Sequence, residues 1–481
     1  MDRLLIVFFS LLISSASLHA QVEHVFSKDF DHQGQANSSS NIEEVAPGQY
    51  VFSQWRSTPN YRDLELIKIN EQGDSITSTR VQLNNEFLYD GNTGSLAFTS
   101  NSKLAYLYDP SQDSIAILSF YTSLLDHTFT RVYDMGMWTA TSNLAQVNDS
   151  TLILTGRVSN NGEVDIFVIN TDLQGNERWR KILSNPGKID RNSKICSLNN
   201  KIFLGFITDY SFMVYHPSLA VLSVQTGNIL HQATFLDYEY NFDFVKNNET
   251  EDVYFLTAQQ SSSGGPESLK TTLIKLNTQN YQVEWDKSFF ANKGIVAFNG
   301  YKNNGVISII GGYRFTGSSI DSTYFLQTSI PNGDSLNIKW YKYNNSDRTG
   351  LLDIEATSDG GFIMAGEVSN PDQNAWIVKA DPNGCINQLC LGVDDVVKQN
   401  VNISIYPNPT WQNSTLAIEK AHLLEKDAVF TLYNSTGQEV MHFPVQGSDF
   451  QKRLRVDEPG LYFGVLSSNG NVVGNKKWIV H

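Results

Sequence analysis

An all-β chain, a seven-bladed β-propeller followed by a small Ig-like β-sandwich, is the fold this sequence predicts. Three observations carry it. A short apolar strand recurs as LIKIN from Leu66, AILSF from Ala116, FVINT from Phe167, AVLSV from Ala220, LIKLN from Leu273, FLQTS from Phe325 and IVKAD from Ile377. These starts lie 50, 51, 53, 53, 52 and 52 residues apart, and a fixed period of that size marks a repeat architecture. No stretch shows the apolar period of a helix, and the pattern changes to a second strand-rich unit at Ile403.

The chain opens with Arg3, the apolar run LLIVFFSLLI (Leu4 to Ile13) and SSASLHA before Gln21. That is the pattern of a secretory signal peptide over residues 1–20, with cleavage after Ala20. Ten apolar residues fall short of the roughly twenty that cross a bilayer. No later segment reaches that length, so no membrane span is expected.

Residues 21–392 are the expected propeller. Its clearest unit, Asp353 to Ile386, reads as short strand, Gly-Gly turn, strand, variable loop, strand and Pro-Asn-Gly turn. Other units add a fourth strand carrying a tryptophan: Trp179 in NERWRKI, Trp285 in QVEWDKS and Trp340 in NIKWYKY. Recurrence at matching positions gives these rings a structural role, stapling neighbouring blades. The last unit lacks a fourth strand, whereas VEHVFSKDF (Val22 to Phe30) has no unit of its own and resembles VEWDKSFF from Val283. Strand 22–30 is therefore expected to complete the seventh blade and remove an exposed edge. Thr357, Asp359, Gly360, Gly361, Phe362 and Gly366 match the T-x-D-G-G-Y/F signature of secreted, delta-60-like bacterial repeat propellers, which the region resembles. That resemblance implies architecture alone.

Composition is globular, 41% hydrophobic and 12% aromatic, with a formal charge of −15 and a pI near 5.0. Such acidity argues against a nucleic acid or an anionic membrane surface as partner. Cys385 and Cys390 lie five residues apart, and export to an oxidising space predicts a disulfide between them. Closing so short a loop contributes about 2 kcal/mol at most. Cys196 is then an unpaired, buried, small apolar residue.

A linker, residues 393–402, precedes the tail at 403–481. The tail holds seven candidate strands: ISIYP, STLAIEK, AVFTLYN, EVMHFPV, QKRLRV, GLYFGVLSS and VVGNKKWIV. Its landmarks are YPNPT (Tyr406, Pro407, Asn408, Pro409, Thr410), LYNSTGQEV with Gly437, then Gly460, Leu461 and Tyr462, and the basic-then-apolar ending with Lys476 and Lys477. In order and spacing these resemble the type A C-terminal sorting domain of the type IX secretion system. The resemblance implies the secretion machinery as partner and passage across the outer membrane. It also implies that the tail is removed, at DDVVKQN (Asp394 to Asn400), with the cargo released or attached to surface lipopolysaccharide.

Motifs that carry chemistry are sparse. TSDGGFIM matches the start of a sialidase-type Asp box, but Ile363 stands where its aromatic belongs, so a turn is expected. The histidines are scattered and no Gly-x-Ser-x-Gly elbow occurs. Adjacent carboxylates such as Glu43-Glu44 read as solvated charges, and Tyr61 in RSTPNYRD is a candidate contact. No catalytic residue, metal ligand or cofactor is expected, although calcium between blades is left open. Ser75, Ser114, Ser150, Ser322 and Ser335 each follow Asp and precede a hydrophobic residue or Thr, resembling an O-glycosylation sequon of bacteria with this secretion system. The expected function is a non-enzymatic binding or interaction module for an extracellular glycan or protein. The alternative is an extracellular hydrolase or lyase acting on polysaccharide or peptide at the propeller funnel.

Overall fold

The structure is a computed structural model. It describes residues 24–386 and 402–481, apart from 32–35, 58–61, 82–94, 110–113, 161, 186, 212–213, 248–251, 261–268, 291–294, 304, 314–322, 344–345, 347, 370–372, 412, 420, 422–427, 435–437, 448 and 469–470. The expected signal peptide, Tyr61, Ser322, Cys390, the linker up to residue 401 and Gly437 therefore lie outside the described residues. Two compact units divide the chain, Met1–Asn387 and Gln388–His481.

Near-continuous apolar runs such as LAYLY and IAILSFY, buried on both faces, set the middle strands of the first unit, alternation sets outer strands such as SITSTRV, and tight turns join neighbours. Asn37–Ala46, Gln49–Ser57, Arg62–Ile69 and Ser75–Val81 form one antiparallel four-stranded sheet. Ser95–Phe98, Leu104–Tyr108, Ile115–Tyr121 and His127–Asp134 form the next. Two eight-stranded sheets follow, one from Trp138–Asn148 to Ile229–Thr234, the other from Glu239–Asn247 to Ser335–Tyr341. Each is a pair of four-stranded units touching through a short parallel contact, at Val164↔Ile189 and at Val245↔Gly300 to Asn247↔Lys302. The last sheet joins Arg348–Ala356, Phe362–Ser369 and Gln373–Ala380 to the N-terminal strand Phe26–Phe30. That strand runs antiparallel to the third, from Phe26↔Lys379 to Phe30↔Ala375.

Each core lies between consecutive units. Leu107, Leu118 and Phe120 of one pack with Leu152, Leu154 and Phe167 of the next. The cycle closes between last and first, where Phe26, Ile363 and Ile377 share a core with Ile42, Phe52 and Ile67. Sheets packed face to face in a closed cycle make a β-propeller.

One contact recurs from unit to unit. Trp179 lies across from Asn170, Trp285 from Lys275 and Phe26 from Lys379, all one residue before the end of the third strand. Each ring then covers a turn glycine of the following unit, Gly227, Gly333 and Gly73 respectively. A Cβ there would meet the ring at 2.9, 3.0 and 2.8 Å, and φ is +67°, +68° and +75°, so both space and backbone demand glycine. Lys28 reaches Asp74 at 2.6 Å just as Lys287 reaches Asp334 at 2.7 Å. Trp340 does not belong to this series. It faces Tyr324, three residues past the stapling position, which Asn337 occupies opposite Gln327. An offset of three turns a strand side chain to the opposite face, and Trp340 is 45% exposed. Aligning tryptophans in the sequence hid the true register.

The second unit is two sheets around one core. Asn402–Tyr406, Asn413–Glu419 and Phe450–Arg455 make the first, and Glu439–Pro444, Val429–Asn434, Gly460–Ser468 and Asn471–Val480 the second. Ile405, Leu416, Phe430, Leu454 and Trp478 fill the space between them.

Phe26→Ala should cost about 3 kcal/mol by opening a cavity in the closing joint. Deleting residues 21–30 should lower the unfolding midpoint of the full chain further. Thermal unfolding checks both, and a deletion with an unchanged midpoint would show that the strand does not fasten the ring.

Candidate functional site

The innermost strands converge on a cavity of about 290 Å³. An inner strand is an edge, so N–H groups on its open side lack ladder partners. Side chains from the preceding unit supply them. Ser95 Oγ accepts from Leu144 N at 3.0 Å, Asn143 Oδ1 from Ile195 N at 3.0 Å and Asp353 Oδ2 from Ile42 N at 2.9 Å. Asn299 Nδ2 donates to the other Asp353 oxygen at 2.7 Å, and Lys194 pairs with Asp243 at 3.3 Å. Asn41, Asn143, Lys194, Asn299 and Asp353 each follow a register shift in their strand. Sequence reading missed this ring. Its trace was the recurring polar-then-aliphatic pair in SNIEE, SNLAQ and LDIEA. Both oxygens of Asp353 are engaged and Asp243 is paired with Lys194, so these two carboxylates brace the ring, while Glu43 and Glu355 also line the cavity.

Further titratable groups are buried elsewhere in the first unit. Asp109 Oδ2 accepts from Thr141 N at 2.8 Å and Thr141 Oγ1 at 2.7 Å, and burial pushes its carboxyl up to about 6. Burial likewise raises Asp190 to about 6, although Thr208 Oγ1 donates to it at 2.7 Å. Cys196, expected to be buried, is half-buried and lines the cavity, and desolvation pushes its thiol up to about 12. His231 stacks on Tyr281 with ring centroids 4.8 Å apart, and His216 Nδ1 lies 2.8 Å from the Tyr238 carbonyl. Among the described residues no group of three or more His, Cys, Asp or Glu side chains could hold a metal ion.

The Asp-box-like stretch is a turn. Asp359 accepts from Thr357 and from Gly361 N, and pairs with buried Lys379 at 2.9 Å. Ser75, Ser150 and Ser335 are exposed and Ser114 is half-buried. Cys385 is buried. Glu43 lines the cavity, whereas Glu44 holds Ser358 N at 2.6 Å, so this pair is not merely solvated.

In the tail the motif residues meet. Asn408 Nδ2 donates to Lys477 O at 2.7 Å, and Asn408 Oδ1 accepts from Ile479 N at 2.9 Å, imitating a strand neighbour. Thr410 extends the imitation with its own backbone, donating to Ile479 O at 3.0 Å and accepting from His481 N at 2.8 Å. Between these contacts Trp478 is fully buried and its Nε1 donates to Ser414 Oγ at 2.9 Å. Ser414 in turn donates to Pro407 O. Lys476 and Lys477 remain exposed, as do Tyr406, Pro407 and Pro409. Gly460 and Leu461 pair with Val480 and Ile479, and the Tyr462 hydroxyl donates to Glu458 O at 2.8 Å. The Pro-Asn-Pro segment and the basic terminal strand thus form one assembly.

Residues 404–481 match the secretion system C-terminal sorting domain family. The protein is a cargo of the type IX secretion system. Its tail marks it for the cell surface or for release. No curated protein matches the cargo in sequence. Among solved structures it is similar to a polysaccharide lyase, the PL25 ulvan lyase bound to -[GlcA(1-4)Rha3S]-, with TM-score 0.53 and 8% identity over 75% of this chain and 97% of that one. Polysaccharide lyase Uly1 gives TM-score 0.49 at 12% identity, covering 72% of this chain and 90% of that one. The β-propeller domain of the Trilobed protease from Pyrococcus furiosus gives 0.45 at 8%, covering 76% and 100%. At such identities the likeness concerns the fold.

Asp109 keeps its proton more tightly in the folded chain than in the unfolded one. Its contribution to stability is therefore full below the ordinary carboxylate range and lost as pH rises to about 6. Asp109→Asn should match the natural protein near pH 4 and exceed it by about 2 kcal/mol at pH 7. Denaturant unfolding at the two pH values checks this, and a gain that does not grow with pH counts against it. Asn408→Ala should cost the tail about 1 to 2 kcal/mol through two lost hydrogen bonds. It should leave more cargo inside cells, measured as the exported fraction; unchanged export would detach the clamp from sorting.

Proposed function

We propose that this cargo works outside the cell as a non-enzymatic binding module built on a seven-bladed propeller. Residues 1–20 start its export as a signal peptide, the propeller spans 21–392, and an Ig-like sandwich at 403–481 addresses it to the type IX machinery. The blade count is supported by four-stranded units repeating at the spacing of the sequence, with the N-terminal strand as the last fourth strand.

The carrying observation is the state of the channel. Its Asp353, Asn143 and Ser95 side chains are engaged in unit-to-unit hydrogen bonds, which supports a braced centre that binds. The partner in this reading is an extracellular glycan or another protein. A polysaccharide or peptide hydrolase or lyase is the second reading. Asp109 and Asp190 favour it, since carboxyls held near 6 can exchange protons at neutral pH, and the ulvan lyase neighbour fits it equally. Exposed Ser75, Ser150 and Ser335 support glycosylation of the cargo, and export supports a Cys385–Cys390 disulfide.

A thermal-shift screen of the full chain against glycans, peptides and calcium, with product analysis, tests the function. A ligand at a hundred times its Kd should add about 2.7 kcal/mol of stability. Stabilisation without product is the expected result; stabilisation with product would replace the binding reading by the enzymatic one.

A further inference from the structure

Outside the channel, two guanidinium groups meet across the joint between adjacent units. Arg157 lies on the strand Thr151–Asn160 and Arg191 on the inner strand Ile189–Leu198 of the next unit. Thr155 and Ser193 touch across that joint, their hydroxyls 2.9 Å apart. Arg157 is two residues beyond Thr155 and Arg191 two before Ser193, and the two strands run in opposite senses about the parallel contact Val164↔Ile189. Both side chains therefore stand nearer the same face, and burial first and Arg191 after it lower the proton affinity of Arg157.

Two like charges side by side call for counter-charge, and the protein turns one carboxylate towards each, Asp209 to Arg191 and Asp109 to Arg157. The buried Nε of Arg157 and that of Arg191 each lack a hydrogen-bond partner. The nearest carboxylate contact of Arg191 is Asp209, at 3.7 Å. Asp109 influences Arg157, but its Oδ2 holds the backbone and hydroxyl of Thr141. Desolvated Arg donors without acceptors are costly, and a forked anion would satisfy them in pairs.

Beside them is a platform. Trp138 lies under Arg157 at 5.1 Å and is 37% exposed, and Tyr215 lies 5.9 Å from Arg191. We propose that Arg157, Arg191 and Trp138 form a subsite for an acidic saccharide, the guanidinium pair taking a carboxylate or sulfate and the indole taking the sugar ring. An acidic peptide would satisfy the charges alone, whereas the half-exposed indole beside them suits the apolar face of a ring. This proposal rests on the binding-module reading and names its ligand class. With a net charge of −15 the chain repels polyanions at large, so capture of one reports a local site.

Titration calorimetry of the full chain tests it, with oligogalacturonate, dextran sulfate, dextran and polyglutamate as probes. Binding to one acidic glycan, weakened about tenfold or more by Arg157→Gln or Arg191→Gln at an unchanged unfolding midpoint, is the expected result. Preference for oligogalacturonate identifies the carboxylate and preference for dextran sulfate the sulfate. Should a glutamine variant unfold, Arg157→Lys keeps the charge without the fork and Trp138→Phe shrinks the platform; each should weaken binding several-fold. Unaltered affinity in the variants, equal binding of dextran or polyglutamate, or no binding to either acidic glycan would overturn the proposal. Binding of dextran alone would remove the subsite and leave the binding-module reading intact. Cleavage of a captured acidic glycan would do the reverse.

Discussion

A ring of small sheets depends on its joints. No four-stranded unit here can bury both of its apolar faces alone, so each borrows the face of the next. The joint between last and first must then do with distant segments what the others do with consecutive ones. It does so with the same parts: an aromatic ring on a positive-φ glycine (Phe26 on Gly73), a lysine on a turn aspartate (Lys28 on Asp74), and a ring side chain on an edge amide (Asp353 on Ile42). Trp376 Nε1 donating to Ser27 ties positions 349 residues apart. Closure across so long a loop has a large entropic cost, which grows slowly with length and is offset by the core that the joint buries.

Much of this was legible because it repeats. The third strands share length and aliphatic character, so their period survives divergence of everything between them, and the missing last strand could be matched to VEHVFSKDF. All seven tail strands could be read from alternation, since each sheet has one buried face. What stayed hidden depends on register. Trp340 looked like a staple because its neighbours resemble those of Trp285, yet a shift of three residues turns it outward. The channel ring escaped notice because its members are chemically varied, Ser, Asn, Lys and Asp, and because a register shift before the Asn, Lys and Asp members disguises their spacing. Arg157 and Arg191 are unremarkable in the chain; only the contact between Thr155 and Ser193 makes them neighbours.

The tail shows a different use of edges. A C-terminal strand is the element most prone to fray, because its last residues have a partner on one side only. Here Asn408 and Thr410 supply a short second partner, with a side-chain amide first and the backbone after it, on either side of buried Trp478. The Pro-Asn-Pro sequence suits that task. Proline lacks an amide N–H, so Pro407 and Pro409 extend no ladder of their own, and the side chain between them makes the contacts. Lys476 and Lys477 are consequently held outward on a strand whose core anchor and edge are both fixed. The backbone that carries these charges is thus ordered before a partner arrives, and only side-chain freedom remains to be lost on binding, the property expected of a folded address label.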